Sequence, residues 1–284
     1  WNDIYTVVNT RVANGEAPDL LNIDVFADFQ ADGLLLPAED WVSEETYAKF
    51  FPSFLDQSVV DGVVWAVPDL ASARALYYNK DILDAAGVAV PTTWEELKAA
   101  CEAIKAYDAE IYPWGVDMTT DEGQAAFAYY TWNNGGGFVD ADGNYIVNCE
   151  GNIGAYEWAK KLYDNGWTNK SPVTELRDDM QKLVAGDKMA MLITANFFPS
   201  LYPDCELLMG EVPYNDEVQD KAISMAVQDA LIFFNSNAKA TEDTPEKLAA
   251  IQKFVDYMYA AEQYLPMCIQ EGLLPATASG IDLL

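Results

Sequence analysis

The chain has 284 residues, of which 51% are hydrophobic and 22% charged, so it is long enough for about two domains, each with its own core. Its 16 basic and 46 acidic side chains give a formal charge of -30, which would repel nucleic-acid phosphates and an anionic membrane surface. The sequence contains no histidine, and this excludes Ser-His-Asp and Cys-His catalysis together with the usual zinc and copper ligand.

The start of the chain indicates a processed or excised segment. Trp1 stands where an initiating Met would be, and the polar residues after it lack the basic and apolar regions of a signal peptide. No apolar stretch approaches the roughly 18 to 20 residues that a membrane helix needs. We therefore expect that any targeting segment has been removed.

The first third of the chain predicts a helix, a strand and a hairpin before a further strand. Ser43 is a helix cap, and Asp61-Gly62 is typical of a hairpin turn. The predicted elements are a helix over 1–14, a strand over 20–23, a loop with a short helix over 24–33, a helix over 43–57, hairpin strands over 58–60 and 63–67 that end at Pro68, and a strand over 74–78.

The rest of the chain alternates longer helices with short strands. Thr93 and Glu96 form a capping box at the start of an amphipathic helix. The further predicted elements are helices over 122–133, 153–165 and 174–185, a helix that begins at 244 and includes 258, a hairpin turn at Asp142-Gly143, and strands over 188–194 and 231–234. This alternation predicts an α/β protein with mostly parallel sheets, whose chain crosses between two domains through strands.

Three local motifs have structural interpretations. Gly135-Gly136-Gly137 lacks the strand-then-helix spacing of a phosphate-binding loop, so we interpret it as a loop at the end of a helix. The segment 140–144 (DADGN) resembles half of a calcium loop, but Gly151 stands where the distal Glu would be, which favours a hairpin turn. Arg177, followed by Asp178 and Asp179, is interpreted as part of a solvated helix face.

The four cysteines form no C-x-x-C pair, so neither a zinc ribbon nor a dithiol redox centre is indicated. They are Cys101, Cys149, Cys205 and Cys268. Buried thiols are the favoured interpretation, and one or two disulfides, which would need an oxidising compartment, are the alternative. No metal or cofactor is predicted.

Aromatic residues make up 13% of the chain, with eight Trp. Flat rings beside carboxylates and amides are suited to sugars, because a pyranose offers C-H faces for stacking and hydroxyls for hydrogen bonds. Most of these rings are nevertheless expected in the core, among them Trp132 and Phe198. Carboxylates are so abundant that no acid and base pair stands out.

Several segments, in order along nearly the whole chain, carry a family resemblance. They are 15–20 (GEAPDL), 31–35 (ADGLL), 65–68 (WAVP), 77–81 (YYNKD), 91–97 (PTTWEEL), 132–136 (WNNGG), 185–191 (AGDKMAM) and 271–276 (EGLLPA). Together they resemble extracellular solute-binding protein family 1, the sugar-binding components of ABC importers. The resemblance implies a two-lobed type II periplasmic-binding-protein fold, with residues 1–76 plus 231–284 in the first lobe and 77–230 in the second.

The chain departs from this family at both ends. Family members begin with a strand-helix-strand unit of roughly 30 or more residues before the helix that here starts at Trp1. They also continue through more helices after the segment matching 271–276. We therefore expect the first lobe to be incomplete and the chain to be a fragment of a longer protein.

The resemblance also implies where a ligand binds. Hinge strands near 76–77 and 230–231 would let the lobes close on a ligand between them, and closure would signal a membrane permease. The residues that match cleft positions of the family are Asp24, Phe26, Asp69, Ser72, Arg74, Asp121, Phe197, Gln228 and Asp229. Phe197 matches the position of a stacking Trp, and the aspartates would accept hydrogen bonds from sugar hydroxyls.

We therefore expect a non-catalytic, monomeric receptor that binds an oligosaccharide and delivers it to an ABC transporter permease. It would act outside the cytoplasm, anchored to the cell surface as a lipoprotein or free in a periplasm. A polyamine or other cationic solute is the nearest alternative ligand, because the predicted cleft residues are rich in Asp. A carbohydrate-acting enzyme and a scaffold or adhesion domain are the remaining alternatives.

Overall fold

The computed structural model describes residues 3–120 and 122–281, in which helices alternate with strands. The helices are α1 (Ile4–Ala13), α2 (Ala27–Ala31), α3 (Glu44–Tyr47), α4 (Pro52–Leu55), α5 (Lys80–Ala86), α6 (Trp94–Tyr107), α7 (Gly123–Trp132), α8 (Glu150–Asp164), α9 (Arg177–Ala185), α10 (Phe198–Leu201), α11 (Pro245–Met258), α12 (Ala261–Glu271) and α13 (Ala278–Ile281). The strands are β1 (Leu20–Ile23), β2 (Val59–Val60), β3 (Val63–Val64), β4 (Ala66–Asn79), β5 (Tyr112–Gly115), β6 (Met189–Ala195), β7 (Leu207–Gly210), β8 (Ala226–Phe233) and β9 (Leu274–Pro275). The α/β class predicted from the sequence is confirmed.

The chain divides into two compact units. Unit 1 comprises Trp1–Ser72 and Ala226–Leu284, and unit 2 comprises Ala73–Met225. Strand β4 contributes its first residues to unit 1 and its last to unit 2. The assignment of two lobes that close on a ligand stays a prediction.

The sheets are mixed rather than mostly parallel. In unit 1, β1 pairs antiparallel with β8, and β9 pairs antiparallel with the first half of β4. In unit 2, β6 and β7 pair antiparallel with the second half of β4, whereas β5 and β6 are parallel. The pattern of short strands between helices indicated the α/β class. It did not predict strand direction, because β4 pairs with strands that are distant from it in the sequence.

The core of unit 1 lies on both faces of its sheet. Successive side chains of a strand point to opposite faces, so Leu231 and Phe233 join one buried cluster while Ile232 and Phe234 join the other. The first cluster includes Trp41, Tyr259, which directly follows α11, and Tyr264 of α12. The second includes residues of α1 and α2.

The core of unit 2 is built around stacked indoles. Trp94 of α6 and Trp158 of α8 lie parallel, with ring centres 4.8 Å apart and an interplanar angle of 1°. Trp114 of β5 is buried beside them and donates from Nε1 to the Tyr130 hydroxyl at 2.9 Å. Phe198 is fully buried, as predicted, against Tyr77 on the other face.

Most of the predicted elements are present, and capping and turn residues explain where several of them begin or end. Both halves of the predicted capping box form, because Thr93 accepts from the backbone of Glu96 and Glu96 accepts from the backbone of Thr93. Thr244 caps α11 with Pro245 in its first turn. Asp61 and Gly62 both have positive φ, as a two-residue hairpin turn requires.

Two predictions that involve proline are wrong. The helix predicted over 43–57 is broken into α3 and α4, because Phe51 precedes Pro52 and takes an extended conformation. Pro68 does not end a strand but lies inside β4, where its carbonyl accepts a hydrogen bond from the Tyr259 hydroxyl. The elements α5, α10, α12, α13, β5, β7 and β9 were not predicted, and β8 begins five residues before the predicted 231.

All four cysteines are free thiols in the structure. Cys101 and Cys268 are buried, as the favoured interpretation expected, and Cys149 and Cys205 are half-buried. Burial raises the pKa of the Cys268 thiol to about 11.

A glycine turn ties the end of α7 to the start of α8, which confirms the interpretation of Gly135-Gly136-Gly137 as a loop. Asn152 of α8 accepts from the Gly137 N-H at 2.9 Å and donates to the Gly137 carbonyl at 2.7 Å. A Cβ on Gly136 would lie 2.2 Å from the Asn152 Oδ1, whereas a Cβ on Gly137 would meet nothing closer than 3.8 Å.

We therefore expect Gly136→Ala to destabilise the protein and Gly137→Ala to serve as its matched control. The first substitution forces Asn152 away from its hydrogen bonds and should lower the free energy of unfolding by about 1 to 3 kcal/mol. The second should change it by less than about 1 kcal/mol. Urea unfolding measures both, and equal losses would contradict the packing described here.

A buried lysine joins three segments of unit 1. The Lys239 Nζ lies 2.6 Å from Asp19 and 2.9 Å from Asp243, donates to the Phe234 carbonyl, and sits 4.2 Å from the centre of the Phe233 ring. Lys247 approaches the same Asp19 oxygen at 2.8 Å. Burial disfavours the charged form of Asp19, but the hydrogen bonds from the two lysines outweigh it and lower the pKa of Asp19.

Asp19→Asn should make the protein less sensitive to acid. A lowered folded pKa means that the ionised carboxylate stabilises the fold above its unfolded pKa of about 3.9, and that this contribution is lost as the pH falls through the folded pKa. The variant should be less stable than the wild type at pH 7, and the gap should narrow toward pH 3. Urea unfolding across this range tests the expectation, with Glu16→Gln as a control for an exposed carboxylate. A gap that is constant with pH would contradict it.

Candidate functional site

In unit 2, polar side chains gather at the carboxyl ends of the parallel strands β5 and β6, the edge at which α/β sheets bind ligands. Asp117 follows β5 by two residues, and Phe197 follows β6 by two residues. Arg74 of β4 lies opposite Ala195, the last residue of β6. Because α9 leads into β6, the first residue of α9, Arg177, is placed at the same edge.

One carboxylate at this edge binds two arginines. The Arg74 Nη2 lies 3.1 Å from the Glu122 Oε1, and the Arg177 Nη1 donates to the same oxygen. Arg74 also donates from Nε to the Tyr129 hydroxyl at 3.0 Å. Burial raises the pKa of Tyr129 to about 12, so this hydroxyl stays protonated near neutral pH.

Phe197 lies against an arginine. The Arg177 Cζ is 5.6 Å from the centre of the Phe197 ring, within the range of a cation–π contact. The guanidinium therefore covers one side of the ring that the sequence offered for stacking on a sugar. The role of Phe197 in ligand binding stays a prediction.

Arg177 and Glu122 were both missed as site residues by the sequence analysis. The interpretation of Arg177 as part of a solvated face is wrong for this side chain, which is only 23% exposed and has its charge paired with Glu122. Its helical neighbours Asp178 and Asp179 are exposed, as expected. Glu122 adjoins the predicted Asp121, which lies outside the described residues.

Asp117, Glu122, Tyr129 and Arg177 line a small pocket within unit 2, together with mainly apolar residues. The lining residues are Trp114, Gly115, Val116, Asp117, Glu122, Ala126, Tyr129, Tyr130, Arg177, Met180, Leu192 and Ile193.

In unit 1, a second polar edge forms where β1 ends and β8 begins. Ile23 lies opposite Ala230, so continuing the antiparallel register brings the predicted Asp24 and Asp229 to facing positions. The Tyr5 hydroxyl of α1 donates to the Asp24 carboxylate. Burial raises the pKa of Tyr5, and the hydrogen bond to Asp24, the charge of Asp24 and the charge of Asp229 raise it further. No pattern in the sequence points to Tyr5.

Asp69 of β4 is the buried acid of unit 1. It is 8% exposed, and its Oδ2 accepts from the Asn22 Nδ2 at 2.5 Å. Its Oδ1 is buried and has no hydrogen-bond partner among residues 3–120 and 122–281. Burial raises the pKa of Asp69, and the hydrogen bond from Asn22 offsets this only in part.

The other predicted residues of unit 1 differ in their surroundings. The Gln228 Oε1 is also buried without a hydrogen-bond partner in the described part of the chain. Ser72 is buried in β4. Phe26 is half-buried and packs against the core cluster of α1 and α2, which gives it a structural role beside the predicted one. None of these placements tests ligand binding.

Metal ligands do not cluster in the described residues, where no group of three or more Cys, Asp or Glu side chains is arranged to hold an ion. Nor is any helix of residues 3–120 and 122–281 both long and apolar enough to span a bilayer.

Comparison with known proteins identifies the family. The sequence profile of the bacterial extracellular solute-binding proteins matches residues 1–264. The chain belongs to this family. The resemblance found in the sequence is thereby confirmed, and membership of a solute-binding family agrees with the prediction that the chain is not an enzyme.

Curated relatives are similar over most of the chain. A putative binding protein from Brucella abortus (strain 2308) is 28% identical over 282 residues, which cover 97% of this chain and 66% of the relative. An arabinooligosaccharide-binding protein from Halalkalibacterium halodurans is 30% identical over 153 residues, 52% of this chain and 33% of the relative. The chain thus spans less than two thirds of the length of the curated relatives it matches first.

Solved structures share the fold. An ABC transporter solute-binding protein from Thermotoga lettingae, bound to α-D-tagatose, matches with a TM-score of 0.84 at 21% identity, covering 97% of this chain and 71% of that one. The maltose-bound MalE3 of T. maritima matches with a TM-score of 0.82 at 22% identity, covering 98% and 71%. The chain therefore has the α/β fold of type II periplasmic binding proteins, as the sequence predicted.

The raised pKa of Asp69 predicts that the protein loses stability as the pH rises above about 4. Ionised Asp69 is disfavoured in the folded state, so stability is full below the unfolded pKa of about 3.9 and falls as the pH rises through the higher folded pKa. Asp69→Asn carries no charge and keeps an oxygen for Asn22. We expect it to raise the melting temperature relative to the wild type at pH 8, with a smaller gain at pH 4.

Thermal unfolding at these two pH values measures the effect. Asp56→Asn, at an exposed aspartate of unit 1, reports the effect of removing one surface charge. A difference between Asp69→Asn and wild type that does not change with pH would contradict the assignment of Asp69 as a destabilised buried acid.

Proposed function

We propose that this chain is part of an extracellular receptor that binds a carbohydrate, an oligosaccharide rather than a monosaccharide, and delivers it to the membrane permease of an ABC importer. The observation that carries the proposal is the pair of polar edges, one in each unit, on a chain of the solute-binding family. Carboxylates accept hydrogen bonds from sugar hydroxyls, guanidinium groups donate to sugar oxygens, and aromatic rings cover the C-H faces.

The chemistry of relatives supports a sugar. The names and bound ligands of similar proteins include arabinooligosaccharide, maltose, maltotriose and laminaribiose. In unit 1, Asp24, Asp69 and Asp229 supply acceptor oxygens. In unit 2, Arg74 and Arg177 supply donors beside Phe197. We further propose that the receptor acts as a monomer, held at the cell surface or in a periplasm.

A cationic solute is the second candidate. It is favoured by Asp24, Asp69 and Asp229 in unit 1 and by the formal charge of -30, both of which would attract a polyamine. Asp69, in contrast, is buried with a raised pKa, which weakens its attraction for a cation below that of an exposed carboxylate. We therefore place the neutral sugar first.

Ligand titration of the purified chain tests the proposal. The probes are maltotriose, laminaribiose, arabinotriose, D-tagatose and spermidine, each followed by Trp fluorescence and by melting temperature. A ligand that binds only the folded state adds about 2.7 kcal/mol to its stability at a concentration of 100 Kd, which is a readily measured rise in melting temperature. We expect a saturable response to an oligosaccharide and a smaller one to tagatose.

The alternatives give different results. A response to spermidine that disappears at high salt would favour the cationic solute. Release of shorter sugars during incubation would identify an enzyme and contradict the receptor. Asp24→Asn should weaken the sugar response about tenfold, as expected for one lost charge-assisted hydrogen bond, while Asp56→Asn should leave it unchanged.

A further inference from the structure

Arg177 is held in a fixed orientation by three contacts. Its backbone N-H donates to the Asp117 Oδ2 at 2.7 Å, its Nη1 donates to Glu122, and its Cζ lies 5.6 Å from the centre of the Phe197 ring. A guanidinium is planar, so contacts at one Nη and on one face fix the direction of its remaining donors. Lysine, with a single rotatable ammonium, would not be fixed in this way.

One donor of this arginine is unused. The Nε atom is buried and has no hydrogen-bond partner among the described residues. The nearest carboxylate oxygen is Asp178 Oδ1 at 3.6 Å, which is too far for a hydrogen bond, and the Asp178 side chain is 67% exposed. Buried hydrogen-bond donors are almost always paired. The unpaired Nε of Arg177 is therefore suited to donate to an acceptor on a ligand.

The charges around Arg177 leave no positive excess. Arg74 and Arg177 carry two positive charges, and Glu122, Asp117 and Asp178 carry three negative ones, so the five groups sum to 2 - 3 = -1. An anionic ligand would therefore find no excess of positive charge at this edge, and it would approach a chain whose formal charge is -30. A neutral oxygen acceptor meets neither difficulty.

We propose that Arg177 is a specificity-determining ligand residue, whose Nε donates to a neutral ring or hydroxyl oxygen of a saccharide bound at the polar edge of unit 2. Glu122 and Phe197 are its positioning residues. They contact the Nη1 atom and one face of the guanidinium, and they leave Nε to donate to the saccharide oxygen. This inference rests on the proposed carbohydrate receptor and names a donor that it uses.

The test compares Arg177→Lys and Arg177→Gln with wild type. Both variants are checked for folding by circular dichroism and melting temperature. Calorimetric titration then uses maltotriose, laminaribiose and arabinotriose as neutral probes, and glucuronate as the anionic one. We expect Arg177→Lys to weaken saccharide binding about tenfold, since it keeps the charge but removes the oriented donor. Lys182→Gln, at an exposed lysine of the same helix, should stay within about twofold.

Monodeoxy analogues of the bound saccharide distinguish a direct hydrogen bond from Arg177 from a purely structural role of this residue. In the wild type, removing the oxygen that accepts from Arg177 should weaken binding by about the same tenfold factor. In Arg177→Lys the same analogue should bind as well as its parent. A purely structural role of Arg177 would instead lower the affinity for every saccharide by one common factor.

Four results would overturn the inference. Unchanged saccharide binding by Arg177→Lys and Arg177→Gln would overturn it and leave the carbohydrate receptor intact. A common factor across all analogues would assign Arg177 to structure alone. Preference of the wild type for glucuronate would contradict a neutral acceptor. Failure of the wild type to bind any saccharide would overturn the proposed function, and the inference with it.

Discussion

Strand β4 is the backbone element on which both units depend. Its 14 residues supply hydrogen bonds to β9 in unit 1 and to β6 and β7 in unit 2. A buried strand must pair its N-H and C=O groups along its whole length, so the two units draw on one continuous run of the sequence. Pro68 is tolerated inside the strand, where its carbonyl accepts from Tyr259.

The polar edges follow from this arrangement. In each unit apolar clusters cover the sheet, and polar side chains collect where β1, β5 and β6 end and on the neighbouring residues of β4 and β8. Burial makes these side chains costly unless they are paired. In unit 2 the cost is offset because Glu122 lies between two arginines, whereas in unit 1 Asp69 keeps an unpaired oxygen and a raised pKa. The two edges therefore offer a ligand different chemistry, donors in one and acceptors in the other.

Membership of a solute-binding family agrees with the chemistry of the two polar edges. A solute-binding protein needs polar groups that are oriented before the ligand arrives, since ordering them on binding would weaken affinity. Tyr5 on Asp24, Asn22 on Asp69 and Glu122 on Arg177 provide that orientation within this chain. The curated relatives are longer than this chain. In proteins of that length, additional segments can contact the same ligand as these edges.

The sequence by itself determined the α/β class, the family, the capped helices α6 and α11, and the strands β1 and β6, because caps, turns and apolar runs act over a few residues. It also placed Asp24 after β1, Arg74 within a strand and Phe197 after β6. Only the tertiary structure decided the direction of the strands and the partners of each polar group. Arg177 and Glu122 are 55 residues apart, and their pairing depends on how α9 and α7 pack, which no local pattern records.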